Sequence, residues 1–157
     1  MKGSTHLAAG LVTALALQSE PSLAITVGVA VGSLLPDIDS KESLVGRYIP
    51  VIPTVLKHRT ITHTLWLVAA LAIICPPIAV GVATHLLLDV LNPEGLQLLW
   101  PAKWKVRIPV LSKLLPSGGL IDRLLGAIGW MYLIWAAVYI SMQYPLPLLP
   151  ATRYVLW

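Results

Sequence analysis

Ile78-Ala79-Val80-Gly81-Val82-Ala83-Thr84-His85-Leu86-Leu87-Leu88-Asp89-Val90-Leu91 is an apolar run carrying one imidazole and one carboxylate four residues apart. Such a run predicts a helix within a bilayer, and positions i and i+4 lie on one helical face. Comparable runs occupy Leu7 to Leu17, Ser22 to Leu35, Thr62 to Cys75 and Leu124 to Met142. With 57% apolar letters, 11% charged letters and a mean hydropathy of +0.79 over 157 residues, they predict an all-α integral membrane protein. The expected architecture is a bundle of about five short transmembrane helices with a cytoplasmic-side cap of irregular loops, in a single membrane-embedded domain over residues 1–157. The first four runs fall short of the roughly 20 residues that cross a hydrocarbon core, and short helices are tolerated where they wrap a polar cavity.

The composition leaves no room for a large soluble catalytic domain. Cys75 alone builds neither an intrachain disulfide nor a thiolate metal site. The opening Met1-Lys2-Gly3-Ser4-Thr5-His6 reads as the start of a retained helix, because no small-residue cleavage site and polar mature domain follow.

Basic residues set the expected orientation. With five spans, Lys2, the loop from Pro36 to Ile61 (Lys41, Arg47, Lys57, Arg59) and the segment from Asn92 to Arg123 (Lys103, Lys105, Arg107, Lys113, Arg123) share one side, leaving Arg153 alone on the other. The positive-inside rule then makes the N-terminus and both long loops cytoplasmic and puts the C-terminus outside an inner (plasma) membrane. The net charge of +4 is accounted for by topology, so no nucleic acid partner is expected, and membrane lipids are. Both loops are broken by proline, at Pro50, Pro53, Pro93, Pro101, Pro109 and Pro116, which excludes long helices there. The stretch from Trp100 to Pro109 alternates basic and apolar letters, as suits an interfacial strand or hairpin near lipid headgroups.

Four histidines and three aspartates converge in this topology. His6 opens the first span, Asp37 and Asp39 follow the second, His58 and His63 precede or open the third, and His85 and Asp89 end the fourth. All seven therefore fall at the cytoplasmic depth. An isolated His-Asp pair in a soluble helix is more often an ordinary hydrogen bond, but ionisable groups within a membrane are costly and mark function. Asp37-Ile38-Asp39 after Pro36 places two carboxylates near one polar centre, or else caps a turn. In Lys57-His58-Arg59-Thr60-Ile61-Thr62-His63-Thr64, Thr60 or Thr62 is expected to cap the incoming helix, with Arg59 placed for an anion.

An oxygen and nitrogen donor set without thiolate suits Zn²⁺, Mn²⁺ or Fe²⁺. Seven ligands exceed the needs of one catalytic zinc and match two ions sharing an aspartate. The expected cofactor is a divalent metal, two Zn²⁺ by preference.

His6-Leu7-Ala8-Ala9-Gly10, Gly32-Ser33-Leu34-Leu35-Pro36-Asp37-Ile38-Asp39, His58-Arg59-Thr60-Ile61-Thr62-His63-Thr64 and His85-Leu86-Leu87-Leu88-Asp89-Val90-Leu91-Asn92-Pro93-Glu94-Gly95 together resemble the YdjM-like family of small inner-membrane proteins, described as metal-dependent hydrolases. That family is distantly similar to zinc-dependent phospholipase C and the single-strand-specific zinc nucleases. The resemblance implies phosphoester hydrolysis, and His85 with Asp89 matches the His-x-x-x-Asp pair of those enzymes. From Ala102 onward no family motif is seen.

The expected function is a membrane-bound hydrolase cleaving a phosphoester of a lipid or lipid-linked substrate by metal-activated water at the cytoplasmic face. Asp39 is expected to bridge the ions or accept the water proton, and Arg59, helped by Lys57, to hold a phosphate oxygen. Glu94 either orients a neighbour or simply fills a turn. Two alternatives belong to other classes. A divalent-metal transporter would need polar groups spread across the bilayer depth, whereas here they crowd at one face. A regulatory membrane protein would hold its metal in closed coordination.

Overall fold

The computed structural model describes residues 1–49, 51–56, 58–108 and 115–143. Lys57, Pro50, Pro109, Lys113 and Arg153, used above for the site, the loops and the orientation, lie outside these residues.

The described residues form helices α1 (Gly3–Ala16), α2 (Leu23–Leu34), a short α3 (Ile52–Val55), α4 (Leu65–Ile74), α5 (Pro76–Val90) and α6 (Leu120–Gln143). Three 3₁₀ turns, Pro36–Asp39, Gly46–Tyr48 and Ile61–His63, lie in the loop between α2 and α4. Each of the five apolar runs is thus a helix. Among the described residues only α6, with 24 residues, is by length and composition long and apolar enough to cross a membrane.

Local chemistry sets the boundaries. Gln18 joins α1 to α2, donating from Nε2 to the Ala14 carbonyl at 2.7 Å and accepting from the Ser22 N–H at 2.7 Å. Pro36 begins the 3₁₀ turn after α2. Pro76 and Pro77 open α5, where the missing N–H groups are no loss. The cap of α4 is neither Thr60 nor Thr62: Thr64 Oγ1 accepts from the Leu67 N–H at 3.2 Å. Thr62 is freed for another role by this shift of two residues.

Small residues let α1, α2 and α5 approach closely. A Cβ on Gly81 would come within 2.2 Å of the Val29 carbonyl oxygen, and one on Gly32 within 2.1 Å of the Ile78 carbonyl oxygen. Helix α5 packs against α2 and α4, and α1 packs against α2, α5 and α6. A small apolar cluster of Val82, Leu86 and Leu96 fixes the far side of α5 against the loop that follows it.

The distribution of side chains is inverted relative to a water-soluble bundle. His6, His63, His85, Asp39, Asp89, Asn92 and Asp122 are buried, while Leu23, Val27, Trp66, Ile73, Leu87, Ile128 and Ile134 are exposed. Large apolar side chains turned outward over a polar interior are what a lipid-facing surface demands.

Of the strand or hairpin expected at 100–109, the described residues show a single antiparallel pairing and no continuous strand. That pairing is the bridge of Leu96 with Val106, closed by N–H···O bonds of 2.9 and 2.8 Å. Gly95 at φ +64° makes this possible, since a Cβ there would sit 2.9 Å from the Val106 carbonyl oxygen.

Candidate metal centre

Asp89 is the hub. It lies on the last turn of α5, one turn after His85, facing the starts of α1 and α4. Its Oδ1 accepts from Asn92 Nδ2 at 2.7 Å and lies 3.0 Å from the Met1 amino nitrogen and 3.2 Å from His6 Nε2. Its Oδ2 lies 3.6 Å from His85 Nε2, 3.7 Å from His63 Nε2 and 3.8 Å from Arg59 Nη2.

The hydrogen bonds behind each ring decide which nitrogen carries the proton. His85 Nδ1 lies 2.8 Å from the Ser33 carbonyl. A carbonyl only accepts, so Nδ1 carries a proton, and in the neutral ring Nε2 is the acceptor that points inward. His63 follows by one more step. Thr62 Oγ1 donates its single proton to Asp39 Oδ2, so at 2.9 Å from His63 Nδ1 the hydroxyl oxygen accepts, and His63 too presents a bare Nε2. Both Nε2 atoms lack a hydrogen-bond partner, as do both ring nitrogens of fully buried His6. With both rings neutral, lone pairs face a carboxylate oxygen across gaps of 3.6 and 3.7 Å. Acceptor against acceptor in a buried site is costly unless a cation lies between them.

The remaining predicted residues complete a second lobe. Asp37 Oδ1 lies 3.7 Å from His85 Nε2, His58 Nδ1 2.6 Å from Asp39 Oδ1, and His63 Nδ1 3.6 Å from Asp39 Oδ2. Two sets of donors come close enough to hold an ion: His6, His85 and Asp89, and Asp37, His58 and His63. Asp39 ties the second set together. Burial pushes its carboxyl up, but the His58 hydrogen bond, His63 and Thr62 outweigh this and hold it below the usual carboxylate range. The same bond to Asp39 raises His58 above its ordinary value, against partial burial.

All seven predicted ligands thus meet in one cluster, drawn from α1, α5 and the loop after α2. Arg59, at φ 63° in the left-handed region that a non-glycine residue rarely adopts, donates its N–H to Asp39 Oδ2 at 3.1 Å and its Nη1 to Glu94. Glu94 is therefore a partner of Arg59, not a bare turn residue. The sequence reading missed Asn92 and Thr62 as supports of Asp89 and Asp39. Asn92 was legible, since it follows Asp89 by three residues; the Thr62 role depends on where α4 begins. Asp122, beyond the recognised motifs, anchors the start of α1: its Oδ2 accepts from Lys2 N at 2.9 Å and Gly118 N at 2.6 Å.

The cluster opens into a cleft of about 850 Å³ whose walls include Asp37, Asp39, His58, Arg59 and Asp89. An apolar slot of about 410 Å³ between Trp66, Leu67 and Trp100 lies at the base of α4.

Comparison with known proteins places these residues in context. The family model for YdjM inner membrane protein matches residues 1–146. A Bacillus subtilis (strain 168) protein, YvsG, described as uncharacterized, is 33% identical over 131 residues, covering 72% of this chain and 81% of its own length. The inner membrane proteins YdjM of Escherichia coli (strain K12) and Shigella flexneri are each 30% identical over 121 residues, covering 65% of this chain and 61% of their own length. No solved structure matches the chain.

Proposed function

The chain belongs to the YdjM family of inner membrane proteins, and from its buried site we propose that it is a metal-dependent hydrolase of a lipid phosphoester. The helices of the five apolar runs, four of them short, are membrane-embedded in this reading, with the site at the cytoplasmic headgroup level. One observation carries the proposal: the Nε2 atoms of His63 and His85, buried and without a hydrogen-bond partner, converge on Asp89 Oδ2 at 3.7 and 3.6 Å.

The donor set fits a divalent ion, with imidazoles fixed by hydrogen bonds behind them and no thiolate. His6, His85 and Asp89 would hold one ion and Asp37, His58 and His63 a second, with Asp39 beside the second. When bound, such ions lower the pKa of water and neutralise phosphoryl charge. Zn²⁺ is the preferred identity.

The chain's own groups supply the rest. Asp39, kept as a carboxylate by His58, Thr62 and the Arg59 N–H, which between them occupy both of its oxygens, fixes the His58 and His63 rings where they would meet an ion. Arg59, whose buried Nε has no partner, binds a phosphoryl oxygen, with Glu94 steering its guanidinium. The lipid class rests on the exposed apolar helices and on the apolar slot beside Trp66 and Trp100, which suits part of an acyl chain.

The test is release of phosphate or phosphorylated headgroup from a phospholipid panel by protein purified in mild detergent with added Zn²⁺ or Mn²⁺. Activity abolished by chelator and reduced about 10–100-fold in Asp39→Asn is expected. Metal-loaded wild type that cleaves no member of the panel, or Asp39→Asn at full rate, contradicts the proposal.

A further inference from the structure

A second cleft of about 510 Å³ adjoins the metal cluster and shares Arg59, His58 and Glu94 with the first. Its outer wall carries Lys103, Lys105, Gln97 and Trp100. The wall is held in place at both ends of the loop after α5. The Leu96–Val106 bridge fixes Lys105 beside the Glu94–Gly95 turn, and the Leu65 N–H donates to the Leu98 carbonyl at 2.9 Å, tying the loop to the start of α4.

The charge balance of this cleft is uneven. Its single carboxylate, Glu94, is taken up by Arg59. Among the described residues Lys103 and Lys105 have no carboxylate partner, and both are exposed to the cleft's solvent. Two ammonium groups facing a concave wall, without a counter-charge, attract an anion held there. Arg59 stands between this wall and Asp89, so a phosphoester at the metal cluster and a second anion at the lysines would flank the same guanidinium.

Resting on the hydrolase reading, we propose that Lys103 and Lys105 form a second anion subsite, and that the substrate carries a further phosphate beyond the scissile phosphoester. A phosphorylated headgroup is the chemistry this wall selects over a zwitterionic or uncharged one. Gln97 and the Trp100 indole supply hydrogen bonds and a stacking face for the part of the headgroup between the two phosphates.

Two short-chain lipids differing by one headgroup phosphate test this. Dioctanoyl phosphatidylinositol and dioctanoyl phosphatidylinositol 4-phosphate are titrated into Zn²⁺-treated protein in detergent, with bound metal measured on the same samples. The added phosphate is expected to tighten binding about 10-fold in wild type and less than about 2-fold in Lys103→Ala/Lys105→Ala, at unchanged metal content. These lysines are exposed, so the double variant retains its fold. Equal affinity of wild type for the two lipids, or an undiminished preference in the double variant, overturns the subsite. Inositol 1,4-bisphosphate binding as tightly as the lipid keeps the subsite and assigns it to a soluble bisphosphate. If wild type binds no metal yet the lysine-dependent preference persists, the hydrolase reading falls and the anion subsite stands.

Discussion

The rings of His6 and His85 stack with centroids 3.7 Å apart and planes 14° from parallel, both fully buried beside Asp89. One ring comes from the first turn of α1 and the other from the last turns of α5, so the stack reports the relative placement of two helices. It holds donors from distant parts of the chain in register with one carboxylate. A site of this kind depends on helix packing as much as on its ligands, and variants of both sorts test it.

Gly81→Ala addresses the packing. The added Cβ would meet the Val29 carbonyl oxygen at 2.2 Å, a backbone atom that moves only with its helix. A loss of about 1–3 kcal/mol is expected. Thermal unfolding in detergent reads it, and bound metal should fall in parallel because His85 rides on the same helix one turn later. An unchanged melting temperature would show that α2 and α5 are farther apart than described.

Thr62→Val removes the hydroxyl that links His63 to Asp39 while keeping the shape of the side chain. His63 loses the acceptor that fixes its tautomer, and Asp39 loses a donor. Metal affinity should fall about 10–100-fold, as for other groups that orient ligands. Competition with a metal-sensitive dye measures it, and Thr62→Ser should recover wild-type affinity. A Thr62→Val protein with full affinity would remove the hydroxyl from the site.

The His58–Asp39 pair gives the metal-free protein a defined pH response. His58 is raised above 6.5 in the folded chain, so its contribution is complete below about 6.5 and is lost as pH rises through the higher folded value. Asp39 is lowered, so its contribution is present above 3.8 and is lost as pH falls toward the folded value. The melting difference between wild type and His58→Gln should therefore be largest between these limits and shrink toward alkaline pH. A difference that grows above neutrality would contradict the pairing.

Asp122→Ala tests a residue with no part in the cluster. Its carboxylate accepts from Lys2 N and Gly118 N, joining α6 to the start of α1 four residues before His6. A cost of about 1–3 kcal/mol is expected from unfolding curves, with weakened metal binding through His6. Wild-type stability in this variant would dismiss the anchor.

Much of this was legible beforehand for physical reasons. Apolar runs bounded by Gln18–Pro21, Pro36 and Pro76–Pro77 leave little choice of helix, and the alternating direction of successive runs puts His6, Asp39, His63 and Asp89 at one end. What escaped were features set by tertiary contact. Thr62 and Thr64 are equivalent as letters, and only the start of α4 at Leu65 makes one a cap and the other a partner of Asp39. Asp122 reads as a helix-start acid until α1 is placed against α6. The 100–106 alternation suits a strand or hairpin, and among the described residues it is realised as one antiparallel bridge, with the loop tied down at Leu65 and Leu96.

Metal content by elemental mass spectrometry, on wild type and on His85→Ala and Asp89→Asn purified in mild detergent, tests the central claim most directly. About two divalent ions per wild-type chain, with loss of at least one in each variant while the protein remains folded, is the predicted result. Wild type that takes up no metal after reconstitution with Zn²⁺, Mn²⁺ or Fe²⁺, or variants that keep the wild-type stoichiometry, would contradict it.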